Sequence, residues 1–268
     1  MPQVNPFAPF SLAMPNVQTG LGRTCFRSPR LAALSLGLSL GLSLLAPALS
    51  RAQVEPLALP SSLTALTSDR GMAWLQQSEA KADYIPLSSH FVTQDSGAYC
   101  GIASLAMVLN AMELEAPLAD PWQLPYFTQV NVLNAKTAAI IPTAVIQRQG
   151  LTLQELAGIG ESHGVRVRRF HGEEVDVDQM RAALVENLAS PGDFVLVNYL
   201  RSAIGQETGG HISPIAAYHT PSDRFLILDV SRYKYPPVWV TAADLWGAID
   251  TVDRVSGRTR GYLLISAE

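Results

Sequence analysis

The chain has 268 residues, of which 48% are hydrophobic and only 16% are charged. A disordered chain would be poor in apolar residues and rich in charge, so this composition predicts a folded protein. The formal net charge is −4, from 19 Lys and Arg against 23 Asp and Glu, whereas a general nucleic-acid-binding protein normally carries a basic excess. Two cysteines exclude both a disulfide framework and a four-cysteine zinc site.

The N-terminal 52 residues have the layout of a secretory signal. A Leu-rich run over residues 31–49 follows three arginines, and small residues come after it. An uncleaved membrane anchor is the alternative, since about 20 apolar residues can span a bilayer. We therefore expect residues 1–52 to be removed, with cleavage after Ala52 or after Ala48. Residues 53–268 would then form one exported domain, in the periplasm or the cell envelope, with no membrane segment.

The exported part contains a helix-rich half followed by a strand-rich half. In chain order, apolar periodicity and start signals predict helices near 71–81, at 100–112, from a capping box at Thr152 and Glu155 to 163, and at 178–189. Strand-like runs lie at 165–170, 194–200, 213–219, 224–230 and 261–266. This order predicts an α+β fold with helices packed on an antiparallel sheet.

Cys100 is the only cysteine after residue 52, and it begins the apolar helical segment CGIASLAMVLNAM. A thiol at a helix N-terminus is stabilised as the thiolate, and the free N–H groups there can bind an oxyanion. Gly101 would let a substrate approach the backbone, and the amide of Gln94 could fold back as a second oxyanion donor. The alternative is a small, inert, buried side chain.

A cysteine nucleophile needs a base, and His211 is the best placed of five histidines. It follows Gly209 and Gly210, which allow a ligand to approach closely, and it precedes a predicted strand. Asp229 follows four apolar residues, and a carboxylate buried there needs a partner because an unpaired buried charge is very costly. His211 is the natural partner, and a salt bridge to Arg232 or Lys234 is the alternative.

Three segments of the sequence strongly resemble the phytochelatin synthase family: TQDSGAYCGIASLAMVLNAM, GGHISPIAAYH and LILDVSRYKYPPVWV. The resemblance implies a papain-like α+β fold, in which an N-terminal helical part with the nucleophile at a helix start packs on a C-terminal antiparallel sheet. It implies a catalytic triad of Cys100, His211 and Asp229, with Gln94 in the oxyanion hole. It also points to four residues as substrate contacts: Asn198, Arg201, Asp253 and Arg260.

The family acts on glutathione, so the resemblance implies a γ-glutamylcysteinyl thioester on Cys100, formed with release of glycine. Transfer of this acyl group to a second glutathione gives phytochelatin, and transfer to water gives γ-glutamylcysteine. The chain resembles short bacterial members that mostly cleave glutathione, which implies strong competition by water. We expect no cofactor or metal site in the protein, and Cd or Zn ions would enter as glutathione thiolate complexes.

Two other functions remain open from the sequence. One is an exported papain-like cysteine peptidase that resembles bacteriocin-processing peptidases, which share a Gln, a Cys-Gly helix start and a His–Asp pair. The other is a non-enzymatic metal-binding or thiol-binding protein of the cell envelope, whose Cys100 would have an ordinary pKa. A homodimer is also left open.

Overall fold

A computed structural model describes residues 56–121 and 123–268, so the predicted signal segment 1–52 lies outside the described residues. The main feature is a seven-stranded sheet in which every pair of neighbours is antiparallel. Its strands are β1 (Thr64–Ala65), β4 (Val165–His171), β5 (Phe194–Leu200), β6 (Gly210–His219), β7 (Arg224–Ile227), β8 (Val238–Thr241) and β9 (Gly261–Ala267). They lie in the order β1-β8-β7-β6-β5-β9-β4, and β2 (Leu118–Ala119) pairs separately with β3 (Leu124–Pro125).

Eight α-helices accompany the sheet in the described part of the chain. They are α1 (Asp69–Gln77), α2 (Tyr84–Ser89), α3 (Cys100–Ala111), α4 (Ala135–Ile140), α5 (Thr143–Gln149), α6 (Leu153–Ser162), α7 (Val177–Leu188) and α8 (Ala242–Ile249). Among the described residues, no helix combines the length and apolar character needed to cross a bilayer. The mixed architecture with an antiparallel sheet is compatible with the expected α+β class, and a papain-like topology stays a prediction.

The sheet is buried on both faces, which explains why its central strands read as continuous apolar runs. Apolar side chains of α3 and α6 pack in one cluster with Leu196 of β5, and those of α7 and α8 pack in a second cluster with Val195 and Val197. Successive residues of a strand point to opposite faces, so these neighbours in β5 contribute to different cores. The helices therefore cover both sides of the sheet.

Most predicted boundaries agree with the structure to within a few residues, and the exceptions have local causes. The first helix starts at Asp69 because the Ser68 side chain accepts a hydrogen bond from Gly71 N at 3.1 Å. The capping box at Thr152 forms as predicted, with the Glu155 carboxylate 2.8 Å from Thr152 N. The sequence analysis missed eight short elements, none longer than eight residues: α2, α4, α5, α8, β1, β2, β3 and β8.

A buried hydroxyl links α3 to the sheet. Ser104 Oγ lies 2.7 Å from the carbonyl oxygen of Cys100 and 3.1 Å from that of Ile212. The hydroxyl therefore joins the first turn of α3 to β6 at the residue that follows His211. The start of a helix and the start of a strand, far apart in the sequence, are held side by side.

Substitution of Gly71 should test the packing of α1 on the sheet. A Cβ atom there would lie 2.1 Å from the carbonyl oxygen of Ala65. We expect Gly71→Ala to lower the free energy of unfolding by roughly 1–3 kcal/mol, as overpacking does. The matched control is Gly247→Ala in α8, where nothing lies within 4 Å of the new Cβ, and it should stabilise by about 1 kcal/mol. Urea denaturation measures both, and equal effects would contradict the packing described here.

Candidate active site

Cys100 is the first residue of α3 and lines a cleft of about 650 Å³. The residue before it, Tyr99, makes no side-chain capping hydrogen bond to the helix. The N–H groups of the first turn have no partner within the helix, so they are available to a ligand at the sulfur. The predicted helix start is therefore at the expected residue, beside a cavity large enough for a tripeptide-sized molecule.

His211 joins Cys100 to Asp229. Its Nε2 lies 2.8 Å from Asp229 Oδ1, which leaves Nδ1 as the ring nitrogen available to the thiol. Burial alone would raise the pKa of Cys100, but a hydrogen bond to His211 and the positive charge of its ring lower it. Burial alone would lower the pKa of His211, but the charge and hydrogen bond of Asp229 raise it. Both shifts favour a thiolate–imidazolium pair.

Asp229 is completely buried, and its carboxylate contacts three polar groups. Besides His211, it binds the guanidinium of Arg201 in a bidentate fashion, at 2.8 and 2.9 Å, and accepts a hydrogen bond from Ser231 N at 2.8 Å. Burial would raise the pKa of the carboxyl, but His211 and Arg201 hold it well below its usual range. The carboxylate is therefore ionised and fixed in place.

Arg201 differs from its predicted role. Its side chain is only 4% exposed and does not line the cleft, because both terminal nitrogens face Asp229 and the guanidinium lies 5.2 Å from the centre of the Tyr235 ring. The structure thus places Arg201 against Asp229 and Tyr235, outside the lining of the cleft. Arg201 is also the cation that forms a salt bridge with Asp229, a role for which the sequence had suggested Arg232 or Lys234.

Gln94 is connected to Asp229 through Ser231. The Ser231 hydroxyl donates to Gln94 Oε1 at 2.6 Å, while Gln94 Nε2 donates to the carbonyl oxygen of Ser96 at 2.5 Å. One N–H of the amide remains after this bond, so Gln94 retains a donor. Gln94 does not line the cleft, and its role in the oxyanion hole stays a prediction.

Four of the predicted substrate contacts line the cleft: Asn198, Gly210, Asp253 and Arg260. Gly101 does not line it. A Cβ atom on Gly101 would meet Leu151 Cδ1 at 3.1 Å and Ile212 Cδ1 at 3.2 Å. The lack of a side chain there serves the packing of α3, and the expected close approach of a substrate at Gly101 has no support in the geometry.

Arg260 lines the cleft, and one edge of its guanidinium has no hydrogen-bond partner among the described residues. One terminal nitrogen donates to the carbonyl oxygen of Val252 at 2.8 Å, whereas Nε is buried without a partner in the described residues. The other terminal nitrogen and Nε lie 3.0 and 3.3 Å from the position of a Cβ atom on Gly210. Burial lowers the pKa of Arg260, and the charge of Asp253 opposes this. An anionic ligand above Gly210 would satisfy this edge.

Sequence reasoning missed Ser213, whose Oγ lies 2.9 Å from His211 Nε2. The two residues are two apart on β6, so they share a face of the strand, and this spacing could have identified Ser213. It also missed Arg148 and Arg254, which line the cleft as well. Among the described residues, no group of three His, Cys, Asp or Glu side chains could hold a metal ion.

The pH dependence of alkylation should report the ion pair of Cys100 and His211. We expect iodoacetamide to label Cys100 well below pH 8.5, roughly the pKa of an ordinary thiol, because His211 lowers the pKa of Cys100. His211→Ala leaves burial unopposed, so its labelling midpoint should move to higher pH. Both proteins carry Cys25→Ser so that only Cys100 reacts. Identical midpoints would contradict the pair.

Removal of Arg201 should lower the free energy of unfolding far more than removal of a surface arginine does. Arg201→Met leaves the buried carboxylate of Asp229 short of a counterion, so we expect a loss of about 3–5 kcal/mol in unfolding free energy. Arg258 pairs with two glutamates but is 42% exposed, so Arg258→Met should lower the free energy of unfolding far less than Arg201→Met does. Denaturant titration of both variants measures this difference, and similar losses would show that Arg201 does not support Asp229.

The phytochelatin synthase family model matches residues 54–262. Similar proteins include glutathione gamma-glutamylcysteinyltransferase 3 of Lotus japonicus, 37% identical over 68% of this chain and 37% of its own length, and transferase 2 of Arabidopsis thaliana, 34% identical over 68% and 39%. A Schizosaccharomyces pombe protein of the same name is 26% identical over 68% and 43%. The chain thus spans less than half the length of these relatives. The family match does not favour the peptidase alternative, and the chain belongs to the phytochelatin synthase family.

Proposed function

We propose that this protein is a glutathione γ-glutamylcysteinyltransferase that works through a thioester on Cys100. The observation that carries the proposal is the arrangement of Cys100, His211 and Asp229 in a cleft that Asp253 and Arg260 also line. The names of the relatives, which are glutathione gamma-glutamylcysteinyltransferases, support the same activity. The cleft therefore supplies both a nucleophile and groups suited to a zwitterionic amino-acid end.

In the first half of the proposed reaction, the Cys100 thiolate attacks the carbonyl carbon of the Cys–Gly amide of glutathione. A C–S bond forms, and the negative charge that develops on the oxygen is stabilised by N–H groups of the first turn of α3 and by the remaining N–H of Gln94. The C–N bond then breaks as the His211 imidazolium gives its proton to the departing amine. Glycine leaves, and the γ-glutamylcysteinyl group stays on the sulfur.

The γ-glutamyl end of glutathione carries an ammonium and a carboxylate on one carbon. The carboxylate suits the Nε edge of Arg260, which has two N–H donors in a fixed geometry. The ammonium suits Asp253, which lines the same part of the cleft. Among the described residues, Asp253 and Arg260 form no direct ion pair with each other, so both charges can serve a ligand.

In the second half of the reaction, an acceptor attacks the thioester carbon and His211 takes its proton. A second glutathione gives phytochelatin, and water gives γ-glutamylcysteine. Cd or Zn ions would take part as glutathione thiolate complexes, as substrates and not as groups held by the protein. We place this activity in metal detoxification or glutathione turnover. The signal-like residues 1–52 support a location outside the cytoplasm.

Release of glycine from glutathione tests the proposal directly. Cys100→Ala should abolish it, and Cys100→Ser should fail too, because a serine hydroxyl stays protonated where the thiol ionises. His211→Ala should be nearly as severe, and Asp229→Asn should be similar or milder. The matched control, made in the uncleaved full chain, is Cys25→Ser, which removes the other cysteine and should leave the rate unchanged.

Mass spectrometry of the protein and of the products completes the experiment. A γ-glutamylcysteinyl adduct should appear on Cys100 during turnover of glutathione. The α-linked isomer of glutathione should be a poor substrate, since its glutamyl end would not meet Arg260 in the same way. Substantial glycine release by Cys100→Ala, or equal turnover of the α-linked isomer, would contradict the proposed activity.

A further inference from the structure

The residues that line the cleft around Cys100 fall into two groups. One group surrounds Gly210 and Arg260 and includes Asp253, to which the γ-glutamyl end is assigned above. The other group is the end of α5, which packs against the segment immediately before Cys100. Gln147 Nε2 donates to the Tyr99 hydroxyl at 3.3 Å, and a Cβ atom on Gly150 would lie 3.5 Å from the carbonyl oxygen of Ala98. This second group has no assigned function.

Arg148 is the charged residue of the second group. It is exposed, it lines the cleft, and among the described residues no carboxylate lies within ion-pairing distance of it. By contrast, Arg181, Arg201 and Arg258 each bind a carboxylate of the protein. The backbone that carries Arg148 is fixed, because Gly150 ends α5 with a φ of 77° and its N–H donates to the carbonyl oxygen of Ile146 at 2.8 Å. Arg148 is thus a cation in the lining of the cleft, carried on fixed backbone and without a carboxylate partner among the described residues.

The chemistry of the proposed reaction calls for such a cation near the thioester. The departing amine is glycine, whose nitrogen is one carbon away from a carboxylate. An incoming glutathione attacks through its α-amine, which is also one carbon away from a carboxylate. The leaving amine and the entering amine therefore place an anion at the same distance from the reacting nitrogen. Water carries no carboxylate.

We infer that Arg148 binds the α-carboxylate of the amine that leaves or enters at the Cys100 thioester, an inference that rests on the proposed transferase activity. In the transfer step, the neutral amine forms a C–N bond to the thioester carbon, and its proton passes to His211. The C–S bond breaks, and the sulfur keeps the electron pair as the Cys100 thiolate. Arg148 takes no part in these bond changes. It selects α-amino carboxylates over other amines, and it favours transfer over hydrolysis.

The test is an acceptor competition with the full chain. Isotopically labelled glycine and glycinamide are offered as acceptors during turnover of glutathione, and their incorporation into glutathione and glutathione amide is measured. Glycinamide lacks the carboxylate, so only glycine can use Arg148. We expect Arg148→Gln to lower the preference for glycine over glycinamide about tenfold, which corresponds to a change of about 1.4 kcal/mol. Comparing the ratio between variants cancels the different basicities of the two amines.

Two further variants separate binding from a structural effect. Arg148→Lys keeps a cation in the last turn of α5 but loses the bidentate guanidinium, so its glycine preference should be intermediate. If Arg148 only complemented the helix dipole, the lysine variant would match the wild type. Arg166→Gln removes an exposed charge on β4, outside the cleft, and should keep the full preference.

Formation of the acyl-enzyme distinguishes a failure of the proposed function from a failure of the role inferred for Arg148. If no γ-glutamylcysteinyl adduct forms on Cys100 of the wild type, the proposed function fails. If the adduct forms and Arg148→Gln keeps the wild-type preference for glycine, this inference alone is overturned. It is also overturned if Arg254→Gln, in place of Arg148→Gln, removes the preference.

Discussion

The architecture of the site depends on one buried anion, the carboxylate of Asp229. An ionised carboxylate without partners in a protein interior would be strongly destabilising, so its position is tolerated only because three groups surround it. Arg201 comes from the turn after β5, His211 from the start of β6, and Ser231 N from the segment after β7. The need to neutralise a single charge thus draws three parts of the sheet together at the end where the cleft lies.

Two effects of this anion reach the reactive sulfur. The charge of Asp229 raises the pKa of His211, and the resulting imidazolium lowers the pKa of Cys100. Ser231 binds two residues: its backbone N–H donates to Asp229, and its side-chain hydroxyl donates to Gln94. The base and the predicted oxyanion donor are therefore oriented from the same carboxylate, one directly and the other through one serine.

Local signals in the sequence were sufficient for the longer helices and strands and for selecting Cys100, His211 and Asp229, which the structure brings together. The capping box at Thr152 and the helix that begins at Cys100 were predictable because their hydrogen bonds and apolar spacing involve residues close in the chain. His211 and Asp229 could be paired because a carboxylate after an apolar strand requires a counterpart.

Contacts between distant segments could not be predicted in the same way. The bidentate contact of Arg201 with Asp229 spans 28 residues, and nothing near either residue distinguishes it from a pairing with Arg232 or Lys234. Gly101 faces Leu151 and Ile212, whose positions are set by the packing of α3 on the sheet. The short β8 and α8 carry too few residues for a periodic pattern, and tertiary packing decides their conformation.

The link from Ser104 to the carbonyl oxygen of Ile212 joins residues that are 108 positions apart. Contacts of such long range form only after a large loop has closed, which makes them late and cooperative events in folding. Before that closure, Cys100 has neither a histidine beside it nor a helix behind it, and its reactivity is that of a thiol in a peptide. The lowered pKa of Cys100 is therefore a property of the completed tertiary structure and not of the local sequence.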